Sequence, residues 1–104
     1  MAQNLTLTYY SDILCIWAYI SQARIDEVST RFGDNLDIDY RFCSVFGDTN
    51  FKIGQGWAGR GWYTGFGKHL LEAALEFPHI KLHPDIWQHC RPSSSTPAHI
   101  LLQA

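Results

Sequence analysis

The feature that most constrains this chain is a double switch of hydrophobic period between residues 5 and 46. Residues 5–10, LTLTYY, alternate Leu and Thr and end in two tyrosines. β-branched and aromatic residues at period two read as a strand. From Ile16 to Phe32 the period becomes helical: Ala18, Ser21, Ile25, Val28 and Phe32 share one stripe, and Arg24, Asp26, Glu27 and Arg31 face away from it. Gly33 follows as a residue free to take positive φ at a helix end. Residues 36–46, LDIDYRFCSVF, return to period two, with Leu36, Ile38, Tyr40 and Phe42 alternating with Asp37, Asp39, Arg41 and Cys43. Strand, helix, strand in this order is a βαβ unit, whose strands are predicted to be parallel and whose crossover is predicted to be right-handed. The expected fold class is α/β.

The second half is less regular. Residues 47–63, GDTNFKIGQGWAGRGWY, read as a long glycine-rich loop, of a length that usually serves function or mobility. Phe66, Leu70, Ala73 and Phe77 then mark one face of a second helix, which Pro78 is expected to end. HPDIWQHC reads as a short third helix with Pro84 in its first turn. Thr96 as N-cap and Pro97 as first helical residue open a last helix. That helix reaches only two turns or so before Ala104, a marginal length alone, so the sequence is expected to stop inside an element. The organisation read from the sequence is a βαβ unit over 1–46 and a Gly-rich loop with a partial helical insertion over 47–104, in one domain or fragment. A two-stranded sheet is marginal and its edges offer unpaired backbone groups, so self-association as a homo-oligomer is expected.

Composition narrows the function. With 46% apolar and 17% charged residues the chain is globular rather than disordered. A net charge of −2 offers no field for nucleic acid or an anionic membrane, and no run of 18 apolar residues suits a membrane span. The N-terminal MAQNLTLTYY has neither the basic nor the apolar region of a secretory leader. Three cysteines without framework spacing suit free thiols in a reducing compartment, so the expected location is cytoplasmic.

Chemistry centres on Cys15. A cysteine at a helix N-terminus meets unpaired N–H groups and the positive end of the macrodipole, a setting that makes thiolates nucleophilic. Its other reading is a small buried apolar residue. Trp17 and Tyr19 flank it, either packing the helix start or walling a substrate. Ser11 and Asp12 precede it, serving the turn or offering hydrogen bonds to a polar ligand. Cys43 reads as structural and Cys90, beside His89, as incidental. His79 and His83 have a metal-compatible spacing, but no cysteine knuckle accompanies them, so no metal site is expected. His99 is expected to cap or pack the last helix. GQGWAG at 54–59 matches a dinucleotide fingerprint only literally, since no strand immediately precedes it. Trp57, Trp62 and Tyr63 with Lys52, Arg60 and Lys68 carry too little positive charge for a nucleic-acid surface. The segment is expected to cover the site as a lid.

These residues carry a resemblance. LTLTYYSDILC, then IWAYISQARIDEV, then IDYRFCSVFG resemble the start of the DsbA-like branch of the thioredoxin superfamily, in which YYSD-x-x-C-P-W-C-Y joins the first strand to the active-site helix. RPSSSTPAHILL resembles the helical insertion of that branch, and kappa-class glutathione transferases and 2-hydroxychromene-2-carboxylate isomerases are similar, with serine in place of Cys15. The resemblance spans nearly all of this chain and about the first half of a family domain. It implies a thioredoxin-like βαβ start followed by part of a helical insertion, with Cys15 as the attacking thiol. Ala18 stands where the resolving cysteine belongs and Ile16 where proline does. The cis-proline loop, the last two strands and the closing helix have no counterpart. A single thiol forms a mixed disulfide that a second thiol must release. The expected activity is therefore thiol-disulfide exchange at Cys15, with no bound cofactor and glutathione as co-substrate. The alternatives are a glutathione-dependent transferase or isomerase, and a truncated, non-catalytic interaction domain.

Overall fold

The computed structural model describes residues 4–104. The first three residues of the expected 1–46 unit, and of the N-terminal stretch read as lacking a leader, lie outside the described residues. The chain is mixed α/β: β1 (Leu5–Ser11), α1 (Ile16–Phe32), β2 (Leu36–Phe42), α2 (Trp62–Ala74) and α3 (Thr96–Gln103), with single turns of tighter or wider helix between β2 and α2. β1 and β2 pair in parallel, with Leu5 opposite Leu36, Leu7 opposite Ile38 and Tyr9 opposite Tyr40. This register sets the alternating Leu5, Leu7 and Tyr9 beside Leu36, Ile38 and Tyr40, so that the apolar positions of both strands share one face. Tyr9 and Tyr40 meet edge to face at 6.0 Å. α1 ends where Gly33 takes φ of 47°, a left-handed conformation that favours glycine, and its N–H bonds back to the Ser29 carbonyl.

The core does not lie on the sheet. Ile16 and Ile20 from the first turns of α1 join Phe46, Ile53, Tyr63, Phe66, Leu70, Ile80 and Trp87. One core thus draws on both the 1–46 and the 47–104 segments. The stripe expected on α1 is only partly covered: Ile25 and Val28 are half-buried and Phe32 is exposed. The buried residues of the helix, Ile16 and Ile20, both lie toward its N-terminal end. Exposed apolar residues remain on the rest, with Leu5 at 72% and Leu101 at 76% of full exposure. The accessible surface is 7353 Å², against about 5,900 Å² for a compact monomer of this size. The radius of gyration is 16.3 Å, against about 13 Å.

Four expectations are corrected. The 47–63 segment is not a plain loop: Asn50–Gln55 forms a π-helical turn, Ala58–Arg60 a 3-10 turn, and α2 begins at Trp62. Burial of Ile53 and Tyr63 outweighs the weak helix propensity of the glycines. HPDIWQHC forms turns, not a third helix. Within it Trp87 takes φ of 67°, and its ring packs against Phe46, Tyr63 and Phe66. α2 stops at Ala74, before Pro78. At α3, Thr96 is the first helical residue and Ser95 the cap position.

Candidate functional site

The β1–α1 turn is built around Asp12, which is 2% exposed. Its Oδ1 accepts the Leu14 N–H at 2.8 Å, an Asx turn, and its carbonyl accepts the Cys15 N–H at 3.0 Å. Its Oδ2 accepts the Phe46 N–H at 2.9 Å and the Ser95 hydroxyl at 2.8 Å. One carboxylate thereby fixes the turn, the segment after β2 and the start of α3. Asp12 has the turn role, and its acceptor oxygens are engaged within the chain.

His99 completes this cluster from α3. It is buried, its Nε2 accepts the Ile13 N–H at 3.0 Å, and its ring stacks on Phe42 at 4.6 Å. Nε2 also lies 3.6 Å from Asp12 Oδ1, and Nδ1 lies 3.3 Å from Ser44 Oγ. Ser44, His99 and Asp12 thus lie in sequence like a hydrolytic triad. The roles are wrong for one. Nε2 already accepts the Ile13 N–H, so the ring proton sits on Nδ1 and faces the serine, where a general base would need a free lone pair. The cluster ties the helix to the strand ends.

The Asp12 turn delivers Cys15 to the N-cap position of α1, with φ of −87° and ψ of 122°. No side chain caps the helix, so the N–H groups of its first turn keep no side-chain acceptor beside the thiol. Cys15 is half-buried and free. It lines a cavity of about 610 Å³ together with Leu14, Tyr19, Leu70, Leu82 and Trp87. The walls are predominantly apolar, and His83, Asp85 and His89 supply the polar groups. Gly67, buried in α2, lets the wall residue Ile86 pack close against that helix: a Cβ there would collide with the Ile86 carbonyl oxygen. Tyr9 also senses the site. Burial raises its phenol above 10.0, and the nearby Cys15 and Tyr40 add to the effect.

The residues singled out in the sequence divide between two cavities. Cys15 and Tyr19 line the large one. Ser11, Asp12 and Tyr19 border a second, of about 300 Å³, with Tyr9, Ala18 and Gln22. The Tyr19 hydroxyl also accepts the Lys81 N–H at 3.5 Å. Trp17 borders neither cavity; it is 55% exposed and meets Phe77 edge to face at 6.3 Å. No residue of the 47–63 segment lines the Cys15 cavity, so the expected lid is not over it. The cavity is covered instead by residues 82–92, among them Cys90, which the sequence reading set aside.

Other sequence features are accounted for within the chain. Gly54 and Gly56 fall in and just after the π-helical turn rather than after a strand. Arg60 lies over Trp57, Lys52 over Phe46, and Arg91 over both Trp62 and Tyr63 at 4.4 Å. Among the described residues, no three of His, Cys, Asp and Glu are grouped as metal ligands, and no helix is long and apolar enough to cross a membrane. No protein-family model, curated protein or solved structure matches the chain.

Proposed function

We propose that this protein is a thiol-disulfide oxidoreductase of the DsbA-like, thioredoxin-like type that works through Cys15 with glutathione. One observation carries the reading: a free thiol at the uncapped N-terminus of a 17-residue helix opens onto an apolar cavity of about 610 Å³. The positive end of the helix stabilises negative charge on a sulfur, and the cavity gives a substrate room beside it. Cys15 attacks a disulfide to form a mixed disulfide, and glutathione thiolate releases the bound half. Ring nitrogens of His83 and His89 at the cavity offer partners for the carboxylates of glutathione. A cytoplasmic, reducing setting keeps all three thiols free.

The apolar walls favour a second reading, in which Cys15 orients glutathione for transfer to an apolar electrophile. Exposed Leu5, Leu75, Ile100 and Leu101 support self-association alongside either chemistry.

The test compares two assays on the native chain and Cys15→Ser: glutathione-coupled reduction of a small disulfide, and glutathione conjugation to an aromatic electrophile. Disulfide reduction that is lost in Cys15→Ser supports the first reading. Conjugation without disulfide reduction would replace it with the second. Neither activity in the folded native chain would refute both.

A further inference from the structure

The Cys15 cavity has a second thiol. Cys90 lines it as part of residues 82–92 and is exposed, while Cys43 sits just past β2 and does not line it. A C-x-x-C pair would place its second sulfur at position 18, which is alanine. The stretch carrying Cys90 is fixed on either side. Trp87 is buried in the core, and the Arg91 guanidinium lies 4.4 Å from the Trp62 and Tyr63 rings while its Nε donates to the Trp87 carbonyl at 3.1 Å. Between these anchors no helix or strand holds residues 88–90. A disulfide requires the Cα atoms within about 4.4–6.8 Å, and residues 88–90 are the stretch whose backbone would adjust to meet that distance.

We propose that Cys90 is the resolving thiol of this site. The proposal rests on the reading of Cys15 as the attacking thiol. Cys15 thiolate attacks a small disulfide such as glutathione disulfide, its sulfur bonds to one glutathione, and the other leaves as a thiolate. Cys90 thiolate then attacks the Cys15 sulfur, the second glutathione leaves, and a Cys15–Cys90 disulfide closes across the cavity. The two cysteines lose two electrons and two protons. One glutathione disulfide takes them up as two glutathione thiols. Two further glutathione thiols reverse the sequence. An intramolecular thiol acts at an effective concentration of roughly millimolar, so release by Cys90 outpaces release by micromolar free thiol. The oxidised form holds residues 88–92 against α1 and narrows the cavity to small apolar molecules.

The experiment mixes the reduced chain, Cys43→Ser and Cys90→Ser at micromolar concentration with glutathione disulfide, quenches with acid at intervals, and maps linked peptides by mass spectrometry. In the native chain and Cys43→Ser, a Cys15–glutathione adduct is expected to give way to a linked Cys15–Cys90 peptide. In Cys90→Ser the adduct is expected to persist about tenfold longer or more. Circular dichroism checks the fold of the variant, and the linked peptide in the unaltered chain is decisive without it. A Cys15–glutathione adduct that persists in the native chain with no Cys15–Cys90 peptide would overturn this inference and leave the attacking role of Cys15 intact. No adduct or disulfide at Cys15 at all would overturn both.

Discussion

Replacing Asp12 with alanine should cost about 2–6 kcal/mol of folding stability, the sum for two buried donors that lose their acceptor. The side chain accepts three hydrogen bonds, from the Leu14 N–H, the Phe46 N–H and the Ser95 hydroxyl. Leu14 lies in a partly exposed turn, where water can replace the carboxylate. Phe46 and Ser95 are buried at 6% and 1% exposure, so their donors are stranded, at about 1–3 kcal/mol each. Loss of the Asx turn adds to this. Asp12→Asn should cost less, about 1–3 kcal/mol. With its amide nitrogen at the Oδ1 position it opposes only the Leu14 N–H and keeps both Oδ2 bonds. A small domain has about 5–15 kcal/mol in total, so the alanine variant should unfold at a much lower urea concentration. Urea titration followed by tryptophan fluorescence reads this directly, since Trp87 is buried in the core. An alanine variant within about 0.5 kcal/mol of the native chain, the usual scale of surface changes, would refute Asp12 as the tie between the turn, the segment after β2 and α3.

Gly67→Ala should destabilise by about 1–3 kcal/mol despite the better helix propensity of alanine, because the new Cβ meets the Ile86 carbonyl. Urea titration tests this, and equal or higher stability would mean that the wall of the cavity shifts freely. Tyr9 has its pKa raised above 10.0 in the folded chain by burial, with Cys15 and Tyr40 adding to it. The folded state then favours the protonated phenol, so this contribution is complete below pH 10 and is lost as pH rises through the folded pKa. Tyr9→Phe should flatten the alkaline fall in the urea midpoint, and an unchanged fall would contradict the assignment. Ala18→Cys should create a dithiol with Cys15, since N-cap and third helical residue are adjacent at the start of α1. Mild oxidation followed by peptide mapping should show a 15–18 disulfide, and its absence in a folded variant would mean that the two side chains diverge.

The legible parts of this molecule are local. The alternation at Leu36–Phe42 and the helical stripe over Ile16–Phe32 set the βαβ order and its parallel pairing, because periodicity reports which faces are covered. It does not report how well they are covered, and Phe32 on the same stripe is exposed. The turns between Asn50 and Arg60 were hidden because their glycines read as loop, while burial of Ile53 and Tyr63 decides the outcome. Ser11 ends β1 instead of entering the turn. Asp12 was readable as a turn residue, but the depth of its role was not. Its partners Phe46 and Ser95 are 34 and 83 residues away. Cys90 escaped for the same reason. Nothing near it in sequence says that its segment folds over the N-terminus of α1. An acidic residue before the Cys15 helix with several Ser and Thr far along the chain was the available signal for the Asp12 cluster, and it is a weak one.

The most direct test is the relative reactivity of the three thiols. Cys43 and Cys90 are exposed, while Cys15 is half-buried, so accessibility and helix-terminus chemistry make opposite forecasts. Alkylation by iodoacetamide at pH 6, resolved by peptide mass spectrometry, separates them. If Cys15 is the nucleophile of this protein it reacts fastest despite its lower exposure, because only the thiolate attacks and only Cys15 stands at a helix N-terminus. If Cys43 or Cys90 reacts faster in the folded chain, exposure alone governs the thiols and Cys15 is a packing residue.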